Sequence, residues 1–255
     1  MGKDSIVKTF AVAAGLCIIC SIIVSAAATT LKARQQENKE LDKQLNVLRA
    51  AGLVEVRENP GSAKIKELFA KVDQVVVDIN TGKTEEKADP AKINAKDASA
   101  LTGTDDLAGI KSRPNKAVVY IVKGADKKPE TIVLPIFGRG LWSTMYGFLA
   151  LKGDLKTVAN LTFYDHGETP GLGGEISNPS WTGKWSGKTA LADSVDPVIR
   201  IIKGNVDPSD PNAAQKVDGI SGATLTGNGV NHTIDFWLGK NGFGPWLKNL
   251  KNKES

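Results

Sequence analysis

Cysteine is nearly absent: Cys17 and Cys20 are the only two in 255 residues, and both fall inside one apolar run. The rest of the chain therefore has no disulfide of its own. A Cys-x-x-Cys pair ordinarily points to metal or redox chemistry, but no further Cys or His lies nearby to complete a ligand set, so both thiols read as small apolar filler. Histidine is as scarce, with only His166 and His232. His166 and Glu168 have the His-x-Glu spacing of zinc deaminases, yet the Pro-Cys-x-x-Cys which that chemistry needs is missing. Also missing are a Gly-x-Ser-x-Gly elbow and a dinucleotide fingerprint, since Gly171 and Gly173 are followed by Ile176 where a third glycine is required. The net charge is +5, and the first 35 residues contribute +3 of it (Lys3, Lys8, Lys32 and Arg34 against Asp4), leaving +2. No basic stripe with interleaved aromatics appears, which excludes a nucleic-acid partner. Lys248, Lys251 and Lys253 read as a solvated terminal face. No catalytic acid or base and no metal ligand is assigned.

Charge is missing altogether between Thr9 and Leu31, a run bracketed by Lys8 and Lys32. At about 1.5 Å per helical residue this run reaches roughly 35 Å, enough to cross a hydrocarbon core of about 30 Å. Ser25-Ala26-Ala27-Ala28 has the small residues of a signal cleavage site, but a signal's apolar region is typically about 7 to 15 residues, so an uncleaved anchor is the preferred reading. Lys3 and Lys8 precede the run while Lys32, Arg34, Lys39 and Lys43 follow it, so charge does not fix orientation. The expected organisation is an anchor over residues 1–35 and one further domain over 36–255.

After the anchor, Leu41, Leu45, Leu48 and Leu53 recur at near-helical spacing between charges, predicting an amphipathic helix over Glu37 to Leu53. Lys64 to Val72 predicts a short helix, and Gln74 to Ile79 a strand ended by the Asn80-Thr81-Gly82 turn. Lys83 to Lys116 is polar and reads as a long loop. Ala117 to Val122, Thr131 to Ile136, Met145 to Leu151 and Val158 to Tyr164 are strand-like, and Val198 to Ile202 is a further short apolar run. Consecutive strands with helices at both ends predict an α+β fold: a single N-terminal transmembrane helix, then a domain with a largely antiparallel sheet and flanking helices.

Three segments have the composition of ligand loops. Gly167 to Glu175 (Gly-Glu-Thr-Pro-Gly-Leu-Gly-Gly-Glu) is glycine-rich, so a planar ligand can lie against its main chain; a plain structural loop has the same composition. Gly138-Arg139-Gly140-Leu141-Trp142 offers apolar side chains that could wall a ring, as core packing also would. Asp218-Gly219-Ile220-Ser221-Gly222-Ala223-Thr224 places small residues beside a hydroxyl, just before an apolar pattern running from Val230 to Leu238. Thr224 then stands at or just before a helix N-terminus, whose free N–H groups and partial positive charge suit a phosphodiester. The competing reading is that Thr224 or Thr226 merely caps that helix.

These three segments in this order, after one N-terminal anchor and with Trp181 and Trp185 near Gly187-Lys188, resemble the C subunit of the sodium-translocating NADH:quinone oxidoreductases. The Asp-x-x-Ser-Gly-Ala-Thr pattern alone is shared with the related G subunit of Rnf-type electron-transfer complexes; total length and the long post-anchor region favour the sodium-pump family. The resemblance implies FMN joined covalently to Thr224 through its phosphate, by a separate flavin transferase using FAD, with Thr226 as the alternative hydroxyl. It implies that Ser221, Gly222, Ala223, Leu225 and Thr226 surround the phosphate and ribityl chain. Glu168, Thr169, Leu172, Leu141 and Trp142 would lie nearer the ring. It further implies an electron relay among five other subunits of a bacterial inner-membrane complex that reduces ubiquinone, with this domain in the periplasm. The reading from a different class is an anchored interaction domain without flavin.

Overall fold

The computed structural model describes residues 6–94 and 97–254; Lys3, Asp4 and the side chain of Lys253 lie outside that description. The chain forms two compact units, one ending at Lys43 and the other beginning at Gln44. Helix α1 (Ile6–Ala50) supplies the first. Its Val7–Lys32 stretch has a mean hydropathy of 2.5, and Phe10, Leu16, Ile19 and Ile23 are each more than half exposed. An apolar surface all round a helix of this length fits a membrane anchor. Cys17 and Cys20 are free and exposed on it.

The sequence predicts a helix separate from the anchor and ending at Leu53; instead one helix runs to Ala50. Gly52, at φ +74°, stops it. Its N–H bonds to the Arg49 carbonyl and that of Leu53 to the Leu48 carbonyl, the paired bonds that satisfy the last carbonyls of a helix closed by a left-handed glycine. Leu45, Val47, Leu48 and Ala50 are buried in the second unit, and the Asn160 side chain donates to the Arg49 carbonyl at 3.0 Å. The predicted second helix is α2 (Ser62–Phe69).

The second unit is built on β1 (Val72–Asp78), β2 (Lys83–Thr84), β3 (Ala98–Ala100), β4 (Ser112–Pro114), β5 (Lys116–Lys123), β6 (Pro129–Arg139), β7 (Thr144–Lys152) and β8 (Val158–Asp165). Six of these form one sheet in the order β2-β1-β5-β6-β7-β8, every neighbouring pair antiparallel. The α+β fold read from the sequence is the one observed. β3 and β4 pair with each other inside the predicted loop, where Asn115 ties them by accepting from Ser99 Oγ at 2.6 Å and donating to Asp97 at 2.8 Å. After β8 come α3 (Pro179–Thr182), β9 (Arg200–Ile201), β10 (Lys216–Val217), α4 (Thr224–Leu238) and α5 (Gly244–Glu254). From the apolar run Val198 to Ile202 only β9 is strand, and it pairs in parallel with β10.

Because strand side chains alternate between faces, the sheet has two cores. Ile132, Leu134 and Ile136 of β6 and Met145, Leu149 and Leu151 of β7 join Val230, Ile234 and Trp237 of α4 and Trp246 and Leu247 of α5 in the larger one. On the other face Phe148 meets Tyr120, which meets Phe69 of α2. Helix α4 lies close on β6. A Cβ on Gly229 would sit 2.4 Å from the Arg139 carbonyl oxygen, and one on Gly138 would overlap the Thr233 side chain. The Trp237 indole N–H donates to the Phe137 carbonyl at 2.7 Å, fixing the helix along the strand. That contact sets where the N-terminus of α4 falls. At the far end, Lys248 is exposed as expected of a solvated tail, whereas Lys251 is half-buried and donates to the Asp193 carbonyl at 2.7 Å.

Candidate functional site

Three loops meet at the start of α4. The first is the tight β6–β7 turn, closed by the Gly140 N–H donating to the Ser143 carbonyl at 2.8 Å. It holds Leu141 and Trp142 on the surface, 42% and 64% exposed. The second begins at Gly167, whose N–H donates to Ser143 Oγ at 2.6 Å. It then turns back on itself as Leu172 and Gly174 donate to the Thr169 carbonyl. The sequence shows no helical pattern after this loop, yet Gly173–Ser177 winds into a short 3₁₀ turn and α3 follows. Asn178 caps α3 by accepting from the Ser180 N–H. The third loop, Asp218 to Ala223, leads into α4.

Glu168, in the second loop, joins the first loop to the first turn of α4. It is buried, accepts from the Trp142 N–H at 2.9 Å and accepts from the Thr226 hydroxyl. Burial alone would raise its carboxyl, but the Thr226 hydroxyl and the N–H groups of Trp142, Leu141 and Ser143 outweigh it and hold the group below its ordinary 4.5. Glu168 is thus an ionised brace at neutral pH, and its neighbours leave no room to spare. A Cβ on Gly173 would fall 2.5 Å from Thr226 Oγ1, and one on Gly140 2.5 Å from Glu168 Oε1. Neither histidine joins a metal cluster among the described residues. His166 accepts from the Glu168 N–H through Nδ1 at 3.3 Å, and His232 is exposed on α4.

Cutting this brace has a measurable cost. Glu168→Ala leaves buried donors unpaired, and a hydrogen bond to a charged group contributes about 1.5–3 kcal/mol. We expect Glu168→Gln to fall between alanine and wild type in urea unfolding at pH 7. Since the folded carboxyl is depressed, its contribution is complete above 4.5 and fades as pH falls through the lower folded value. The gap between wild type and Glu168→Gln should therefore narrow below 4.5; a gap that is constant with pH would refute an ionised brace.

Asp218, at the head of the third loop, holds the next layer. One carboxylate oxygen pairs with Lys184 Nζ at 2.7 Å and the other accepts from the Val206 N–H at 2.7 Å. The Lys184 ammonium first, and then that N–H, depress its carboxyl. Its backbone carbonyl accepts from the Trp181 indole N–H at 2.9 Å, and Trp181 packs edge-on against Trp185 at 5.7 Å. The tryptophan pair therefore supports the loop from below. Gly222 takes φ +72°, with the side chain of Leu172 closing over it.

Neither threonine caps α4. Ala223 occupies the cap position and no side chain bonds there, while the backbone N–H groups of Thr224, Leu225 and Thr226 have no acceptor among the described residues. The Thr226 hydroxyl is buried and engaged, whereas Thr224 is exposed and its hydroxyl has no protein partner among the described residues. Thr224 also borders two hollows. One, of about 220 Å³, brings together Leu141, Trp142, Glu168, Thr169 and Leu172 with Gly222, Ala223, Leu225 and Thr226. Every site residue expected from the sequence lines it except Ser221. The other, of about 410 Å³, is walled by Ile201 to Asn205, Gly219, Ile220 and Ser221. Its Ile201 to Asn205 wall and Asn228 on α4 carry no ligand-loop signal in the sequence beyond the apolar Val198 to Ile202 run.

The donor set suits a phosphorylated, largely apolar ligand: unpaired N–H groups at a helix start, a glycine loop and exposed aliphatic and indole surfaces. Residues 140–239 match the model of the FMN-binding domain family. Along nearly its whole length the chain is 46% identical to the C subunit of the Na(+)-translocating NADH-quinone reductase of Yersinia pestis, covering 98% of this chain and 94% of that one. It is also 46% identical to the protein of that name from Pseudomonas aeruginosa, covering 99% of each. The crystal structure of Shewanella oneidensis NqrC superposes with a TM-score of 0.72 at 36% identity, over 84% of this chain and 99% of that one. These likenesses, extending well beyond the matched domain, place the chain in the family of Na(+)-translocating NADH-quinone reductase C subunits.

Proposed function

We propose that this chain carries FMN as a phosphoester on Thr224 and serves as an electron-carrying subunit of a sodium-pumping NADH:ubiquinone reductase. The observation that carries the reading is the exposed Thr224 hydroxyl at an uncapped helix start, between two hollows. The unpaired N–H groups of Thr224, Leu225 and Thr226 would hold the phosphate oxygens, and the helix macrodipole favours negative charge there. Ser221, Gly222 and Ala223 keep the approach open, because their side chains are small or absent. Leu225 would lie along the ribityl chain, and Leu141, Trp142, Thr169 and Leu172 would supply the surfaces nearer the ring, with Glu168 bracing them. A separate flavin transferase would install the ester from FAD, Thr224 contributing the attacking oxygen and AMP leaving.

When bound, FMN supplies the redox chemistry, taking up and passing on electrons. The protein's own tasks are to hold the cofactor, tune its environment and keep water and oxygen from the wrong face. An acid or base poised on a substrate is not required for these. Nor does α1 offer an ion route, since its apolar stretch has no interior carboxylate. Five partner subunits of the bacterial inner-membrane complex would provide that route and the NADH and quinone sites. With the domain in the periplasm, the ester keeps flavin at high effective concentration where little is free.

The reading is tested by making the chain with and without its flavin transferase and running both on a denaturing gel. Fluorescence in the band made with the transferase, and none without it, is expected. Two dark bands would refute covalent attachment.

A further inference from the structure

The wall of the larger hollow is held to α4 by a contact that resembles strand pairing. The Ile201 N–H donates to Asn231 Oδ1 at 2.8 Å, and Asn231 Nδ2 donates back to the Ile201 carbonyl at 3.1 Å. One carboxamide thus makes both bonds that a neighbouring strand would make to Ile201. On its other side the same short strand, β9, pairs with β10, which continues as Ile202 N–H donating to the Val217 carbonyl at 2.9 Å. β9 is two residues long, so β10 alone gives it little purchase. Two further positions of α4, each about one turn away, face it. Gly227 faces Ile201 at ordinary contact distance for a Cβ, and Asp235 pairs with Arg200 at 2.7 Å.

These contacts lie on the helix that begins with Thr224. The residues following Ile201, namely Ile202, Lys203, Gly204 and Asn205, line the same hollow as Thr224. Any slip of β9 along α4 changes the width of that hollow beside the hydroxyl. The ion pair of Arg200 with Asp235 cannot prevent slip by itself, since a pair with an exposed partner tolerates a range of geometries. A bidentate carboxamide on one peptide unit allows only one register.

We infer that Asn231 is a positioning residue, holding the Ile201 to Asn205 wall at the spacing from Thr224 that admits the flavin phosphate. This rests on the attachment of FMN to Thr224 and adds to it a residue outside the Asp-x-x-Ser-Gly-Ala-Thr pattern. Asn231 does not touch the reacting oxygen; it acts through the Ile201 peptide.

The test compares Asn231→Asp and Asn231→Leu with wild type and with a core variant, Leu161→Ala, chosen to lose at least as much thermal stability. Aspartate keeps the acceptor for the Ile201 N–H and loses the donor; leucine loses both. Two readouts are needed. In the full chain without flavin, hydrogen exchange at the Ile201 amide should quicken at least 10-fold in Asn231→Leu and remain near wild type in Leu161→Ala. With transferase and FAD, the initial rate of flavin attachment should fall at least 10-fold in Asn231→Leu, less in Asn231→Asp, and under 2-fold in Leu161→Ala; at about 1.4 kcal/mol per factor of ten this is the loss of one or two hydrogen bonds at the attachment step. Unchanged exchange at Ile201 overturns the inference whatever the flavin does. So does quickened exchange with an attachment rate within 2-fold of wild type, or an equal loss of rate in Leu161→Ala. A wild-type chain that takes no flavin, with exchange behaving as expected, locates the failure in the attachment reading itself and removes the positioning role with it.

Discussion

Thr224→Val is expected to abolish flavin attachment outright, while Thr226→Val leaves it in place. The two threonines stand two positions apart and differ only in environment. Thr224 is exposed at the first turn of α4, beside N–H groups that have no acceptor among the described residues. Thr226 is 1% exposed and its proton is committed to Glu168. Valine at 224 keeps the shape of the side chain and removes the only nucleophilic atom, so the fold should be unaffected: far-UV circular dichroism and Tm should match wild type. Valine at 226 removes a donor from a buried carboxylate, which should cost about 1–3 kcal/mol and still leave Thr224 reachable. In the assembled complex, electron flow from NADH to quinone should disappear with Thr224→Val. Flavin retained in Thr224→Val and lost in Thr226→Val would show that the buried hydroxyl is the attachment point and that the helix start unfolds to present it.

The second large effect is expected at a residue that lines neither hollow. Gly229→Ala should destabilise the domain although alanine is the better helix former by about 1 kcal/mol. The new Cβ would lie 2.4 Å from the Arg139 carbonyl oxygen, with the Arg139 carbonyl carbon and Gly140 Cα each at 3.4 Å. These are backbone atoms of β6 and its turn, so no rotamer change can relieve the clash and α4 must move off the sheet. Overpacking of this kind costs about 1–3 kcal/mol and occasionally more. For a domain of this size each kcal/mol lowers Tm by about 2–4 °C, so a drop of roughly 2–12 °C is expected by calorimetry. Because the shift carries the N-terminus of α4 away from the Gly140 to Ser143 turn, flavin attachment should slow as well. A Tm equal to or above wild type would mean that helix propensity wins and that the close approach is not tight.

How much of the fold and site is legible in the residues follows from which forces act locally. The anchor and β5 to β8 are readable because a long uncharged run and segments rich in β-branched and aromatic residues state their burial directly. β3 and β4 are not: Ala-Ser-Ala and Ser-Arg-Pro have little strand preference, and their pairing depends on Asn115 bonding to Ser99 and Asp97. The α1 stop is easily missed although Gly52 marks it, because the leucine spacing continues to Leu53. Within the site, the Asp218 to Thr224 pattern is recognisable by likeness and only permissive by composition. Nothing local tells the exposed Thr224 from the buried Thr226. That distinction comes from Glu168, distant in sequence and delivered by the β7–β8 edge of the sheet. The Ile201 to Asn205 wall is hidden for a related reason, since a two-residue parallel pairing places it beside α4.

Everything proposed for this chain turns on one bond, between a flavin phosphate and a particular oxygen. The most direct test of that bond is fragmentation mass spectrometry of the wild-type chain matured with its transferase, digested so that Thr224 and Thr226 fall in one peptide. That peptide should carry one FMN, with fragment ions assigning it to Thr224. An unmodified peptide, or a modification assigned to Thr226 or any other residue, would contradict attachment at Thr224.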